Sequence, residues 1–149
     1  MSVLVFRKPS KQLGAAAVEF ALIALVFFML LLGIVELGRV LFTWNAAVEA
    51  TRYGARVAVV CNPNSPAILS SMRRIMPNLS DANVVKEYLT STNSDCSSSP
   101  DTCHWVRISI QGLSVTTHIP LANMVLGVPQ FTTTLPRESL NSVNNPVCS

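Results

Sequence analysis

From Ala15 to Val35 the chain is apolar at every position except Glu19, and no charge occurs between Glu19 and Glu36. As a helix rising 1.5 Å per residue this run reaches about 31 Å, enough to cross the hydrocarbon core of a bilayer. The helical pattern continues past it. Leu37, Val40, Leu41, Trp44, Ala47, Val48, Thr51 and Ala55 recur at three- and four-residue steps as an apolar stripe. Beside the stripe, Ala46, Ala50, Gly54 and Ala58 form a ladder of small residues that admits a close neighbour. The ladder is read first as packing on the chain's own sheet, with a subunit contact as the alternative. The pairs Glu36/Arg39 and Glu49/Arg52 stand three residues apart, worth ~0.2–0.5 kcal/mol each. One helix is predicted over 15–60, with a transmembrane segment at 15–36 and an extracytoplasmic head at 61–149.

The stretch Asn62-Pro63-Asn64-Ser65-Pro66 ends this helix, with asparagine as a C-cap and the prolines unable to continue it. Ser65-Pro66 then caps a short packing helix to about Met76, with Ile68, Leu69, Met72, Ile75 and Met76 on one face. Residues 84–90, 105–111 and 130–135 have strand character and suit a small antiparallel sheet. The polar loop 91–103 joins the first two. Residues 120–129, with Met124, Val125 and Leu126, read as a loop or helical turn packed over that sheet. The fold class is therefore α+β: a long N-terminal helix carrying a small head of one short helix and antiparallel strands.

Charge changes the picture only at the N-terminus. The formal net charge is +3 and the mean hydropathy +0.42. Three of the eleven basic residues, Arg7, Lys8 and Lys11, precede Gly14, which leaves eight basic against eight acidic residues beyond it. That basic cluster is a positive-inside signal holding the N-terminus in the cytoplasm, and nucleic acid is not an expected partner. An ordinary secretory signal would offer a small-residue cleavage site after its apolar core. None follows Val35, so a cut before the run, at Gly14/Ala15, is the alternative.

Four cysteines, Cys61, Cys96, Cys103 and Cys148, follow the apolar run, and an even number outside the membrane favours disulfides with three possible connectivities. Cys96 and Cys103, close across a Ser/Pro/Asp loop, are the favoured pair and leave Cys61 with Cys148. Neither His104 nor His118 lies at a spacing that pairs it with a nucleophile or a metal set, and no serine sits in a G-x-S-x-G turn. Asp95 and Asp101 read as solvated loop carboxylates. Asn78-Leu79-Ser80 is a bare glycosylation triplet. No enzyme, metal or cofactor is expected. Glu19 is the exception that asks for a role, since an acid inside a spanning helix costs ~2.5–3.5 kcal/mol on insertion scales.

A short basic leader ending in Gly14, a Glu five residues later and an apolar helix that outlasts the membrane together resemble type IV pilins and pseudopilins. More closely, Gly14-Ala-Ala-Ala-Val-Glu19-Phe20, Gly33-Ile-Val-Glu36-Leu-Gly-Arg39 and Asn45-Ala-Ala-Val-Glu49-Ala-Thr-Arg52-Tyr-Gly54 resemble the TadE-like family of the tight adherence (Tad/Flp) pilus system. The resemblance implies a leader at 1–14, cleaved between Gly14 and Ala15 by a prepilin peptidase of the inner membrane. It implies a cofactor-free minor pilin or pseudopilin for the assembly or tip of an adherence pilus. Its partners would be other pilins and pseudopilins and the inner-membrane assembly platform. Glu19, beside Phe20, would set the register between subunits by meeting the amine of a neighbour's Ala15. The competing reading is an uncleaved single-pass anchor with a periplasmic interaction module.

Overall fold

The structure is a computed structural model and describes residues 13–63, 65–118 and 124–148. The predicted leader up to Gln12 and the first four residues of segment 120–129 lie outside the described residues.

Helix α1 spans Leu13–Ala58, 46 residues without a proline, so no turn loses its hydrogen bond to a pyrrolidine ring. It starts two residues before the predicted segment and stops two before its predicted end. Its two halves differ in what surrounds them. None of residues 14–39 is buried, whereas Val40, Ala47, Ala50, Thr51, Ala55, Val57 and Ala58 are. The predicted stripe is therefore buried only from Val40 onward. Leu37 lies before the head, which begins at Val40, and Leu41, one residue beyond Val40, stays exposed as well.

Helix α2, Pro66–Arg73, begins where the Ser65 hydroxyl accepts the Ala67 amide at 3.3 Å, with Pro66 in the first turn. Ile68 and Met72 are fully buried in the core shared with α1, and hydrogen bonding of the helical type continues to Met76. Strands β1 (Val84–Leu89), β2 (Trp105–Ile110) and β5 (Phe131–Pro136) form an antiparallel sheet with β2 in the middle. Register sets Tyr88, Val106 and Leu135 in one row, Lys86, Ile108 and Thr133 in the next, and Val84, Ile110 and Phe131 in the third. This face lies on α1, where the Thr133 hydroxyl donates to buried Thr51 at 3.2 Å. Lys86 shares the apolar face, and its ammonium reaches out to Asp81 at 3.2 Å, so the stem is buried and the charge is not. The opposite face is mixed, with Arg107 between Glu87 and Thr134 and the row Leu89, Trp105 and Pro136 at one end.

Strands β3 (Ser114–Thr116) and β4 (Val125–Gly127) pair as a separate antiparallel ribbon. Met124, Val125 and Leu126 are thus not a loop or helical turn covering the main sheet. They are exposed, and β4 instead completes its hydrogen bonds with β3.

The end of α1 is closed by residues far along the chain rather than by an asparagine C-cap. Amides of Glu138 and Leu140 donate to the Val59 carbonyl at 3.1 and 3.3 Å, and that of Asn141 to Val60 at 2.9 Å. Asn62 and Ser142 exchange two further bonds. Carbonyls at a helix end have no partner within the helix, and just past the end of α1 the irregular segment after β5 supplies the donors. Disulfides join Cys61 to Cys148 and Cys96 to Cys103, each with its Cα atoms 5.5 Å apart, inside the usual range.

Candidate functional site: the bare half of the long helix

The surface that needs a partner is the first half of α1. Phe20 is 73% exposed, and Val18, Leu22, Ile23, Phe27, Phe28, Leu30 and Ile34 are exposed with it. A continuous apolar surface of this length is not left in water. By length and composition it is one candidate membrane span. Glu19 is exposed on this surface, in the second turn of the helix. Helical spacing places it on the same edge as Ala15, four residues before it.

Glycines on the two halves have different reasons. A Cβ built at Gly14, Gly33 or Gly38 meets nothing within 4 Å, so the chain's own packing does not demand glycine there. At Gly54 the same atom would fall 2.6 Å from Met72 Sδ and 2.7 Å from its Cγ. The predicted ladder thus faces inward: Ala50, Gly54 and Ala58 are buried in the head, and Ala46 is half-buried at a groove of about 300 Å³ lined also by Phe42, Met76 and Leu113.

Where the bare half meets the head there is a polar junction. Arg39 pairs with Glu36 at 3.0 Å, donates to the Thr116 carbonyl and lies 3.0 Å from His118 Nδ1. Glu36 is the more shielded partner, 14% exposed against 42% for Arg39. The Glu36/Arg39 spacing was visible in the sequence. The link to Thr116 and His118 was not, since 77 and 79 residues separate them from Arg39 and no local pattern marks the contact. His104 sits apart, at the start of β2, where its amide donates to Leu89 and its carbonyl accepts from Arg137. Among the described residues no three His, Cys, Asp or Glu side chains gather as a possible metal site.

A head tied by two disulfides, hung on one helix whose first half is bare and apolar, defines a head-bearing protein with a single candidate membrane anchor. The family model of TadE-like proteins matches residues 14–56. This stretch is therefore a TadE-like segment, covering the bare half of α1 and most of the half packed in the head, and it supports a pilus-associated protein of the Tad system. No curated protein and no solved structure matches the chain.

Proposed function

We propose that the chain is a minor pilin or pseudopilin of a Tad/Flp-type pilus, acting in assembly or at the fibre tip in surface adherence. The observation that carries this reading is the bare half of α1 with its one carboxylate. The helix is exposed to Ile34 and beyond, Glu19 stands on it, and residues 14–56 match the TadE-like model. Two disulfides in the head suit export to an oxidising compartment, with the N-terminus held in the cytoplasm by its basic residues.

Cleavage by a prepilin peptidase between Gly14 and Ala15 would create an ammonium four residues from Glu19. In lipid the helix surface is solvated by acyl chains. In a fibre it is surrounded by other helices, where an unpaired carboxylate is costly and a matched cation offsets the cost. A neighbour's Ala15 amine meeting Glu19 fixes how far one subunit is shifted along the fibre from the next. Gly33 and Gly38, open on the same half, let other helices approach closely. The partners are then other pilins and pseudopilins and the membrane platform that moves them. The role is structural rather than catalytic.

The test is the intact mass of the protein taken from membranes, with and without reduction. A chain opening at Ala15 and two masses shifted by two disulfides are expected. An uncut leader would overturn the pilin reading in favour of a static periplasmic anchor.

A further inference from the structure

We propose that the β3–β4 ribbon is a second membrane contact: the exposed apolar residues Met124, Val125 and Leu126 bed into the headgroup layer of the leaflet from which α1 emerges. This rests on the reading that residues 15–36 span the bilayer.

Height along the helix carries the first step. Arg39 lies four residues beyond Val35, ~6 Å of helix, and the polar layer on each side of the hydrocarbon core is roughly 5–7 Å thick. Arg39 therefore stands within that layer. The ribbon is held at the same height, because Arg39 bonds the Thr116 carbonyl and touches His118. Register sets Val125 directly opposite Thr116, and the Thr117 amide donates to Met124 at 2.9 Å. The apolar residues of β4 are thus fixed by backbone pairing to the level of the bilayer surface.

Chemistry carries the second step. Val125 is 67% exposed and Met124 52%, and all three residues of β4 are exposed. On α1 at the same height Leu37, Leu41 and Phe42 are exposed too, so the apolar surface of the spanning segment continues onto the head. The local charges, Glu36 and Arg39, already neutralise each other at 3.0 Å. The partner surface therefore needs apolar depth rather than negative charge, which a zwitterionic bilayer interface supplies and which suits shallow burial of apolar side chains. A strand pair of three residues is too small to stand alone, so contact at Arg39 on one side and lipid on the other gives it two supports. The consequence is a head with a fixed tilt and rotation on the membrane, where one helix alone would leave it free to swivel.

The full-length protein in phosphatidylcholine vesicles tests this, with Val125→Trp, Met124→Trp and, as a control inside the span, Phe28→Trp. Each is compared with the unsubstituted chain, whose Trp44 and Trp105 supply a common background. With acyl chains brominated near the carbonyl end, the added emission of Val125→Trp and Met124→Trp should fall about twofold or more and be blue-shifted. That of Phe28→Trp should be quenched by bromines placed deeper in the chains. Quenching of Phe28→Trp without quenching of either ribbon variant would overturn the proposal while leaving the spanning helix intact. Absence of quenching in all three would overturn the spanning reading and the proposal with it. A blue shift without quenching that grows with protein density would mean a second copy covers β4, which also overturns the proposal.

Discussion

Gly54 and Met72 are in backbone-to-side-chain contact, and the position of a glycine near the C-terminal end of a 46-residue helix is explained by it: a Cβ on Gly54 would lie 2.6 Å from Met72 Sδ. Glycine weakens a helix by ~1 kcal/mol relative to alanine, and the fold accepts that cost to bring α2 against α1. Met72 is fully buried, so it has little room to yield.

Filling this contact should destabilise the head in proportion to size. Gly54→Ala gains ~1 kcal/mol of helix propensity but overpacks at a cost of about 1–3 kcal/mol, a net loss of roughly 0–2 kcal/mol. Gly54→Leu has no such offset and should cost at least about 3 kcal/mol, read from the denaturation midpoint in detergent. Adding Met72→Ala to Gly54→Leu should recover part of the loss, because residues in contact couple. Independent, additive effects would show that the clash is relieved elsewhere.

The two disulfides should contribute unequally. Cys61 and Cys148 are separated by 87 residues and Cys96 and Cys103 by 7. The chain-entropy account gives about 4–5 kcal/mol for the first closure and about 2 for the second. Serine replacement of both cysteines in each pair, followed by chemical denaturation, should reproduce that order. The long closure also holds residues 138–142 on the end of α1, so its loss should expose the amides of Glu138, Leu140 and Asn141 to hydrogen exchange.

Arg39→Ala should loosen the ribbon while leaving the head folded. Its pair with Glu36 is partly exposed, and exposed pairs contribute ~0–1 kcal/mol. The Thr116 and His118 contacts, however, are what tie β3 and β4 to the helix. The Thr117 and Met124 amides should exchange faster, with a midpoint shift below ~1 kcal/mol. Unchanged exchange would show that the buried side chain of Val115, in the middle of β3, holds the ribbon alone.

Glu19→Gln should spare membrane insertion and leader cleavage and abolish incorporation into sheared pili, assayed by immunoblot of the fibre fraction against the membrane fraction. Gln keeps the length and most of the hydrogen bonding but removes the charge. Normal incorporation would mean that the carboxylate is merely tolerated.

How far the sequence could be read follows from how local each cause is. The long helix, the capped Pro66 helix and the three strands of the main sheet rest on periodicity and on neighbours a few residues apart, so they were legible. The β3–β4 ribbon was not. Its strands are three residues each, only Val115 among their six residues is buried, and Pro120 and Pro129 on either side of β4 argue for a loop. The stopping point of α1 was legible only within two residues, because the groups that satisfy its carbonyls lie about eighty residues on. Leu37 and Leu41 fit the stripe by spacing yet remain outside the core, since apolar residues that face lipid and apolar residues that face protein follow the same period.

The closure at the end of α1 also has a mechanical meaning. Tension carried along the helix reaches the head through a surface loaded in shear, many contacts at once, and the Cys61–Cys148 bond ties the last described turn of the chain to the point where that helix ends. A pull on α1 therefore cannot peel the head away strand by strand from residue 148 inward; everything between the two cysteines is enclosed in one covalent loop, and only sliding of the helix against the sheet, or rupture of that bond, would release it.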